Sequence, residues 1–183
     1  MDRNELEPYR QFARPFYAGK DPAHDFSHIE RILSRLDLFS QGLADIPRPD
    51  RLYFLACFHG LWRRLCQDES FLSQVRGFLI NLGWTEEAMV EVFQSLAHHT
   101  TRPQSVEEQI VHDADQIESL GALGIAKTFA TGGARGQTIL ETANYFEHRI
   151  LPRSVFYTPA GKRLAEERCA YTLAFLSSLR AEF

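Results

Sequence analysis

Apolar residues recur along most of the chain at intervals of three and four positions, which is the spacing of an amphipathic helix. No segment shows the sustained alternation of apolar and polar residues that a half-buried strand requires. The pattern predicts seven or eight helices, at about residues 3–17, 27–44, 49–66, 69–82, 86–99, 105–131, 136–150 and 159–181. Because no linker or internal repeat separates them, we expect one all-α bundle, a single domain spanning residues 1–183.

Sequence signals at the helix starts support these boundaries. Segments 27–30 and 105–108 both fit the Ser-x-x-Glu capping box, in which two side chains satisfy backbone amides at the start of a helix. Thr158 precedes a proline, and Thr85 precedes two glutamates, both favourable arrangements at a helix N-terminus. The glycine-rich residues 131–136 are predicted to form a loop. They do not form a phosphate-binding P-loop, because no Gly-Lys-Ser/Thr follows them.

The composition narrows the class of protein. Of 183 residues, 44% are hydrophobic and 24% are charged, as in ordinary globular proteins. A net charge of −4 lacks the basic footprint of a nucleic-acid binder, so we expect no nucleic-acid polymer as partner. The longest apolar run, residues 52–58, is too short to cross a membrane, and the charged first ten residues do not resemble a signal peptide. Three cysteines without a Cys-x-x-Cys pair predict reduced, mostly buried thiols in a cytoplasmic protein.

Three side chains that can bind metals fall on or beside the apolar faces of three predicted helices. They are His28, His59 and Asp115. Two imidazoles with one carboxylate suit a first-row transition metal ion. The spacing alone leaves the alternative open that each histidine is a hydrogen-bonded core residue.

Three segments resemble the HD-domain metal-dependent phosphohydrolases, and in particular a compact bacterial subgroup of that family. They are AHDFSHIERIL (23–33), LYFLACFHGLW (52–62) and VHDADQIESLGALGIAKTF (111–129), of which the last is the longest and most specific match. Together they cover about residues 20–180. The resemblance implies an all-α helical bundle that hydrolyses a nucleotide or another small phosphate ester with a metal-activated water.

The resemblance also implies a ligand set for a divalent transition metal ion such as Mn, Fe, Ni, Co or Zn. The first histidine of the family falls on His28, the histidine of its His-Asp pair on His59, and its later aspartate on Asp115. Asp113 is the alternative to Asp115, or an acid that orients a ligand.

Further residues lie at positions near the family's site. His98 or His99 matches a histidine that faces substrate or a second metal ion, Glu118 can orient a ligand histidine, and the subgroup tends to fill the positions of His24 and Asp25. Candidate phosphate-binding cations are Arg31, Arg63, Arg102, Lys127 and Arg135. For each of these cations, a solvated surface charge is the alternative interpretation.

One residue departs from the family pattern at the centre of the site. The aspartate of the His-Asp pair is replaced by Gly60, which removes one ligand and one negative charge. We therefore expect metal binding that is weakened or lost. Two hypotheses follow: a phosphohydrolase that works with three remaining ligands, and a degenerate, non-catalytic HD domain that binds a ligand or partner. A two-iron oxygenase is disfavoured, because that chemistry needs the bridging aspartate.

Overall fold

The structure is a computed structural model that describes residues 3–21 and 24–183. Within those ranges the chain is helical and contains no strand, which confirms the all-α prediction. The helices are α1 Arg3–Ala13, α2 Phe26–Leu33, α3 Leu36–Phe39, α4 Pro49–Phe58, α5 Trp62–Gln67, α6 Glu69–Asn81, α7 Glu86–His98, α8 Val106–Gln116, α9 Gly121–Ala134, α10 Ile139–Tyr145 and α11 Pro159–Arg180. Single 3-10 or π-helical turns cover residues 14–17, 59–61, 117–119, 146–150 and 151–153.

The helices group into two compact units. Unit 1 comprises residues 1–37 and 44–112, and unit 2 comprises residues 38–43 and 113–183. The chain passes from one to the other within α8. The prediction of a single domain for residues 1–183 stays a prediction.

The core of unit 1 is built around α4. All residues from Leu52 to Phe58 are buried, so this helix is apolar on every side, as expected for one enclosed by other helices. It packs against α1, α2 and α7. Aromatic rings fill the space between these helices; for example, Phe12 of α1 and Phe58 of α4 stack with ring centroids 5.9 Å apart. This rigid core carries His59 at its end.

The predicted helix 49–66 is interrupted, and the interruption lies at His59. Helix α4 ends at Phe58, and residues 59–61 form a 3-10 turn before α5 begins. The Tyr17 hydroxyl donates to the Cys57 carbonyl at 2.9 Å and accepts from the Gly60 amide at 3.2 Å. Burial raises the pKa of Tyr17, which keeps this hydroxyl protonated and able to donate. The prediction of one continuous helix was wrong here, because the Tyr17 hydroxyl, distant in sequence, stabilises the 3-10 turn at residues 59–61.

The predicted helix 27–44 is also divided, since α2 ends at Leu33 and the short α3 follows. Its start differs from the predicted capping box as well. Asp25 is the N-cap, and its carboxylate accepts from the Ser27 amide at 2.9 Å. An aspartate cap fits because its charge also complements the helix dipole.

The other start signals fare better. Thr85 and Thr158 are the N-caps of α7 and α11, as predicted. At Ser105 only half of the predicted capping box forms: its hydroxyl accepts from the Glu108 amide, while the Glu108 carboxylate accepts from the Gln104 amide instead.

Unit 2 is built from α9, α10 and α11. Its core contains Ala143, Phe146 and Leu176, with α9 residues packed against them. The prediction of a loop at residues 131–136 was wrong for most of that segment, because α9 continues to Ala134. Gly132 is required for contact rather than for flexibility: a Cβ there would lie 2.3 Å from Oγ1 of Thr142. A glycine can thus serve close packing within a helix.

The three cysteines differ in exposure. Cys57 is buried in α4, Cys169 is half-buried, and Cys66 is exposed, so the prediction of mostly buried thiols was wrong for Cys66. Among the described residues, no helix is both long and apolar enough to cross a bilayer.

Candidate metal centre

Two histidines of unit 1 come together at the ends of α2 and α4. His28, in the first turn of α2, is 3% exposed. His59 follows the last residue of α4 and is half-buried. Their ring centroids are 5.6 Å apart, and a ring nitrogen of each lies within 4.8 Å of the other. The structure therefore brings the two predicted imidazole ligands together.

A third histidine, His99, orients His59. Nε2 of His99 lies 2.7 Å from Nδ1 of His59, and Nδ1 of His99 lies 2.9 Å from the Leu96 carbonyl oxygen. A carbonyl oxygen only accepts, so Nδ1 of His99 carries the proton and its Nε2 accepts from His59. Neutral His59 is then protonated at Nδ1 and has its lone pair at Nε2. This is the arrangement by which proteins fix the tautomer of a metal-binding histidine.

The geometry distinguishes between His98 and His99, both of which the sequence left as candidates for a residue at the site. His99 is 1% exposed and faces His59. His98 points to another partner, with its Nδ1 3.0 Å from Oε2 of the buried Glu108. Of this pair, His99 is the one that contacts a candidate ligand.

Replacing His99 by leucine is therefore expected to weaken Mn²⁺ binding by about 10–100-fold, the usual cost of removing a residue that orients a metal ligand. The reason is that His59 loses the acceptor that fixes its tautomer. Isothermal titration with Mn²⁺ would measure the change. His98→Leu is the matched control at the same helix end and should leave the affinity essentially unchanged. Equal losses in both variants would contradict the assignment.

Asp113 lies on α8, and its carboxylate contacts the residues at the start of α11, within unit 2. It is fully buried, and its carboxylate accepts from the Tyr157 amide at 3.1 Å and from the Thr158 amide at 2.8 Å. The Thr158 hydroxyl donates to it as well, at 2.7 Å. Gly161 is required beside it, since a Cβ there would lie 2.2 Å from Oδ2 of Asp113. These contacts give Asp113 a structural part in positioning α11.

The other acidic candidates lie nearby in the chain. Asp115 is half-buried on the last turn of α8. Glu118 is 1% exposed, and its Oε2 lies 3.3 Å from Nζ of Lys127. Lys127 therefore has a buried carboxylate as its partner within unit 2.

The candidates around the start of α2 have local partners. Asp25 is the N-cap of this helix, and exposed His24 contacts Asp21 at 2.9 Å. Arg31 donates to the Ser27 hydroxyl at 3.0 Å. The remaining candidate phosphate ligands are all exposed and lie elsewhere in the chain; they are Arg63, Arg102 and Arg135.

Sequence reasoning missed Lys20. Its Nζ donates to the Gly60 carbonyl at 2.7 Å and lies 4.4 Å from the centre of the Tyr17 ring. Burial lowers the pKa of Lys20, and Asp21 opposes the shift. No sequence signal pointed to this residue, because it lies 40 positions from Gly60 and outside the described helices.

The donor set of unit 1 fits a divalent transition metal ion. Imidazole nitrogen is a ligand type that Mn, Fe, Co, Ni and Zn accept, and these two rings are held close together in a largely buried setting. The contact with His99 supplies the orienting partner that such a ligand needs.

Comparison with known proteins finds relatives of similar fold, although no protein-family model matches the chain. The structure is similar to an HD-superfamily hydrolase from Bacillus thuringiensis, with a TM-score of 0.80, 26% identity, and coverage of 98% of this chain and 97% of that one. The chain thus resembles the HD-superfamily hydrolases over nearly its whole length. At the positions that match the family's His-Asp pair, this chain has His59 followed by Gly60.

The chain also resembles YpgQ from Bacillus subtilis, an uncharacterized protein. The two sequences are 25% identical over 207 aligned positions, which span 97% of this chain and 93% of YpgQ. The crystal structure of YpgQ in complex with ADP matches with a TM-score of 0.76 and covers 98% of this chain and 95% of that one. The match over nearly the whole length of both relatives makes this a full-length HD-domain likeness rather than a local one.

Proposed function

We propose that this protein is a metal-dependent phosphohydrolase whose substrate is a nucleotide or another small phosphate ester. The observation that carries the proposal is the His28–His59 pair with His99 behind it, since two close imidazoles with a fixed tautomer suit a metal ion rather than a plain core contact. The hydrolase name of the Bacillus thuringiensis relative and the ADP complex of YpgQ support the reaction class and the type of substrate.

In this proposal His28, His59 and Asp115 hold the metal ion. Asp115 is preferred to Asp113 because the Asp113 carboxylate already receives three donors at the start of α11. Three protein ligands with an open position are a common arrangement for a catalytic ion. When bound, a divalent ion supplies activation of water and of the phosphoryl oxygen.

The remaining residues of the site then have distinct tasks. His99 holds the His59 ring in place because its Nε2 accepts a hydrogen bond from Nδ1–H of His59, so we assign it to positioning rather than to substrate binding. Asp25 fixes the start of α2 and hence the position of His28, three residues later. The interior of α4 supplies the rigid support that keeps His59 at its end.

A second candidate function is favoured by Gly60. Gly60 has no carboxylate, and its backbone carbonyl accepts a hydrogen bond from Nζ of Lys20. Losing a metal ligand is expected to cost at least the 10–100-fold that removing an orienting residue costs. A degenerate HD domain that binds a nucleotide without hydrolysing it is therefore the alternative.

One experiment separates the two. Purified protein is analysed for bound Mn, Fe, Ni, Co and Zn, and is then assayed for phosphate release from a panel of nucleotides with each metal added. We expect stoichiometric metal and turnover that depends on it. A nucleotide that binds without turnover under every metal would establish the non-catalytic alternative and refute the proposed reaction.

A further inference from the structure

The space beside Gly60 is occupied by a cation. A Cβ built on Gly60 would lie 3.0 Å from Nζ of Lys20, 3.2 Å from Cε1 of Tyr17 and 3.4 Å from the Tyr17 hydroxyl. Any side chain at this position would start against the lysine ammonium. The glycine and the lysine are therefore matched, because the missing side chain makes room for the charge.

Lys20 is held in place by contacts of two kinds. The Gly60 carbonyl accepts one of its N–H donors at 2.7 Å, and the Tyr17 ring lies below the ammonium at 4.4 Å. Tyr17 is itself fixed, being 2% exposed and hydrogen-bonded to the backbone at both Cys57 and Gly60. A lysine that is only a solvated surface charge does not usually meet a buried aromatic face and a backbone acceptor together.

The ammonium has hydrogen-bonding capacity beyond these contacts. It carries three N–H donors, and the Gly60 carbonyl accepts one of them. Its acceptor is the carbonyl of Gly60, the residue that directly follows His59, a candidate metal ligand. A fixed cation at this place suits an anion that approaches the two histidines, and a phosphoryl group is such an anion.

We propose that Lys20 binds the phosphoryl group of the ligand, and that Gly60 leaves room for this ammonium because it has no side chain. The inference rests on the proposed function, which it deepens by assigning a phosphoryl-binding residue. The ligand class is a phosphate monoester or a nucleoside diphosphate. A carboxylate at position 60 would pair with Lys20 and neutralise the charge that the phosphoryl group needs.

The test measures binding of inorganic phosphate, ADP and adenosine by isothermal titration, with and without Mn²⁺. We expect Lys20→Met to weaken phosphate and ADP binding by about 10–100-fold, the size of a hydrogen bond to a charged group, and to leave adenosine binding unchanged. Lys20→Arg should retain part of the affinity, since it keeps the charge. Lys162→Met, an exposed lysine on α11, is the matched control and should behave as the wild type.

The variant Gly60→Asp completes a double-mutant cycle. Measured without Mn²⁺, this variant should weaken phosphate binding, and adding Lys20→Met to it should cost little more, because a lysine that is paired with the new carboxylate no longer contacts the phosphoryl group. Stronger phosphate binding in Gly60→Asp with Lys20 intact, measured without Mn²⁺, would overturn the proposal. So would a Lys20→Met protein with wild-type phosphate affinity, or a wild-type protein that binds neither phosphate nor ADP.

The same samples keep this inference separate from the proposed function. Mn²⁺ binding tests the metal centre, and Lys20→Met should leave it unchanged because Lys20 is not a ligand. If the wild-type protein binds no metal, and Lys20→Met weakens its phosphate binding, the proposed hydrolase function is refuted and the proposed role of Lys20 is supported. If the wild-type protein binds metal and turns over substrate, and Lys20→Met does not change phosphate binding, only the proposed role of Lys20 is refuted.

Discussion

Replacing His59 with alanine is expected to reduce Mn²⁺ affinity by at least about 100-fold and to abolish metal-dependent phosphate release. Removing an orienting residue typically costs about 10–100-fold, and a direct ligand should cost more than that range. The loss should be especially severe here, because Gly60 supplies no carboxylate to compensate. Isothermal titration and a phosphate-release assay measure the two effects.

The control for this variant is His148→Ala. His148 is exposed, and its Nε2 lies 3.8 Å from a Glu147 carboxylate oxygen, in unit 2. Its replacement should leave metal affinity and turnover at the wild-type level. Circular dichroism would establish that both variants fold, which is expected because His59 is only half-buried and alanine favours helical backbone. Wild-type Mn²⁺ affinity in His59→Ala would refute the proposed ligand set.

The helical fold could be predicted from the sequence because burial of one face of each helix repeats every three to four residues. The interruptions within the predicted helices could not be predicted in this way. The 3-10 turn at residues 59–61 depends on the Tyr17 hydroxyl, which contacts the backbone from 40 residues away. Likewise, Gly132 reads as a loop residue in the sequence, yet it is a contact point for Thr142 on another helix. Local patterns do not encode such tertiary contacts.

The same limit applied to the site. His28 and His59 stand out in the sequence because each is a polar residue among apolar neighbours. The choice between His98 and His99 depended on where α7 ends, since one residue further along the chain turns the side chain by about 100°. Lys20 lies outside any helical pattern, and only the distance from its Nζ to Gly60 relates the two residues.

Replacing Asp113 with alanine is expected to lower the free energy of unfolding by at least about 2 kcal/mol, because three neutral donors lose their acceptor. The carboxylate is fully buried and receives the amides of Tyr157 and Thr158 and the Thr158 hydroxyl. Its removal leaves these donors without their acceptor at the start of the longest helix, and each buried donor left unsatisfied costs about 1–3 kcal/mol.

Urea denaturation followed by circular dichroism measures the loss of stability in Asp113→Ala. Two further variants serve as comparisons. Asp113→Asn keeps one acceptor oxygen, so its loss should be smaller than that of alanine. Asp45→Ala removes an exposed aspartate and should change stability by no more than about 0.5 kcal/mol. A loss below about 1 kcal/mol in Asp113→Ala would show that Asp113 is not needed to position α11. Asp113 would then compete again with Asp115 as the third metal ligand, because the preference for Asp115 depends on Asp113 being held by its structural contacts.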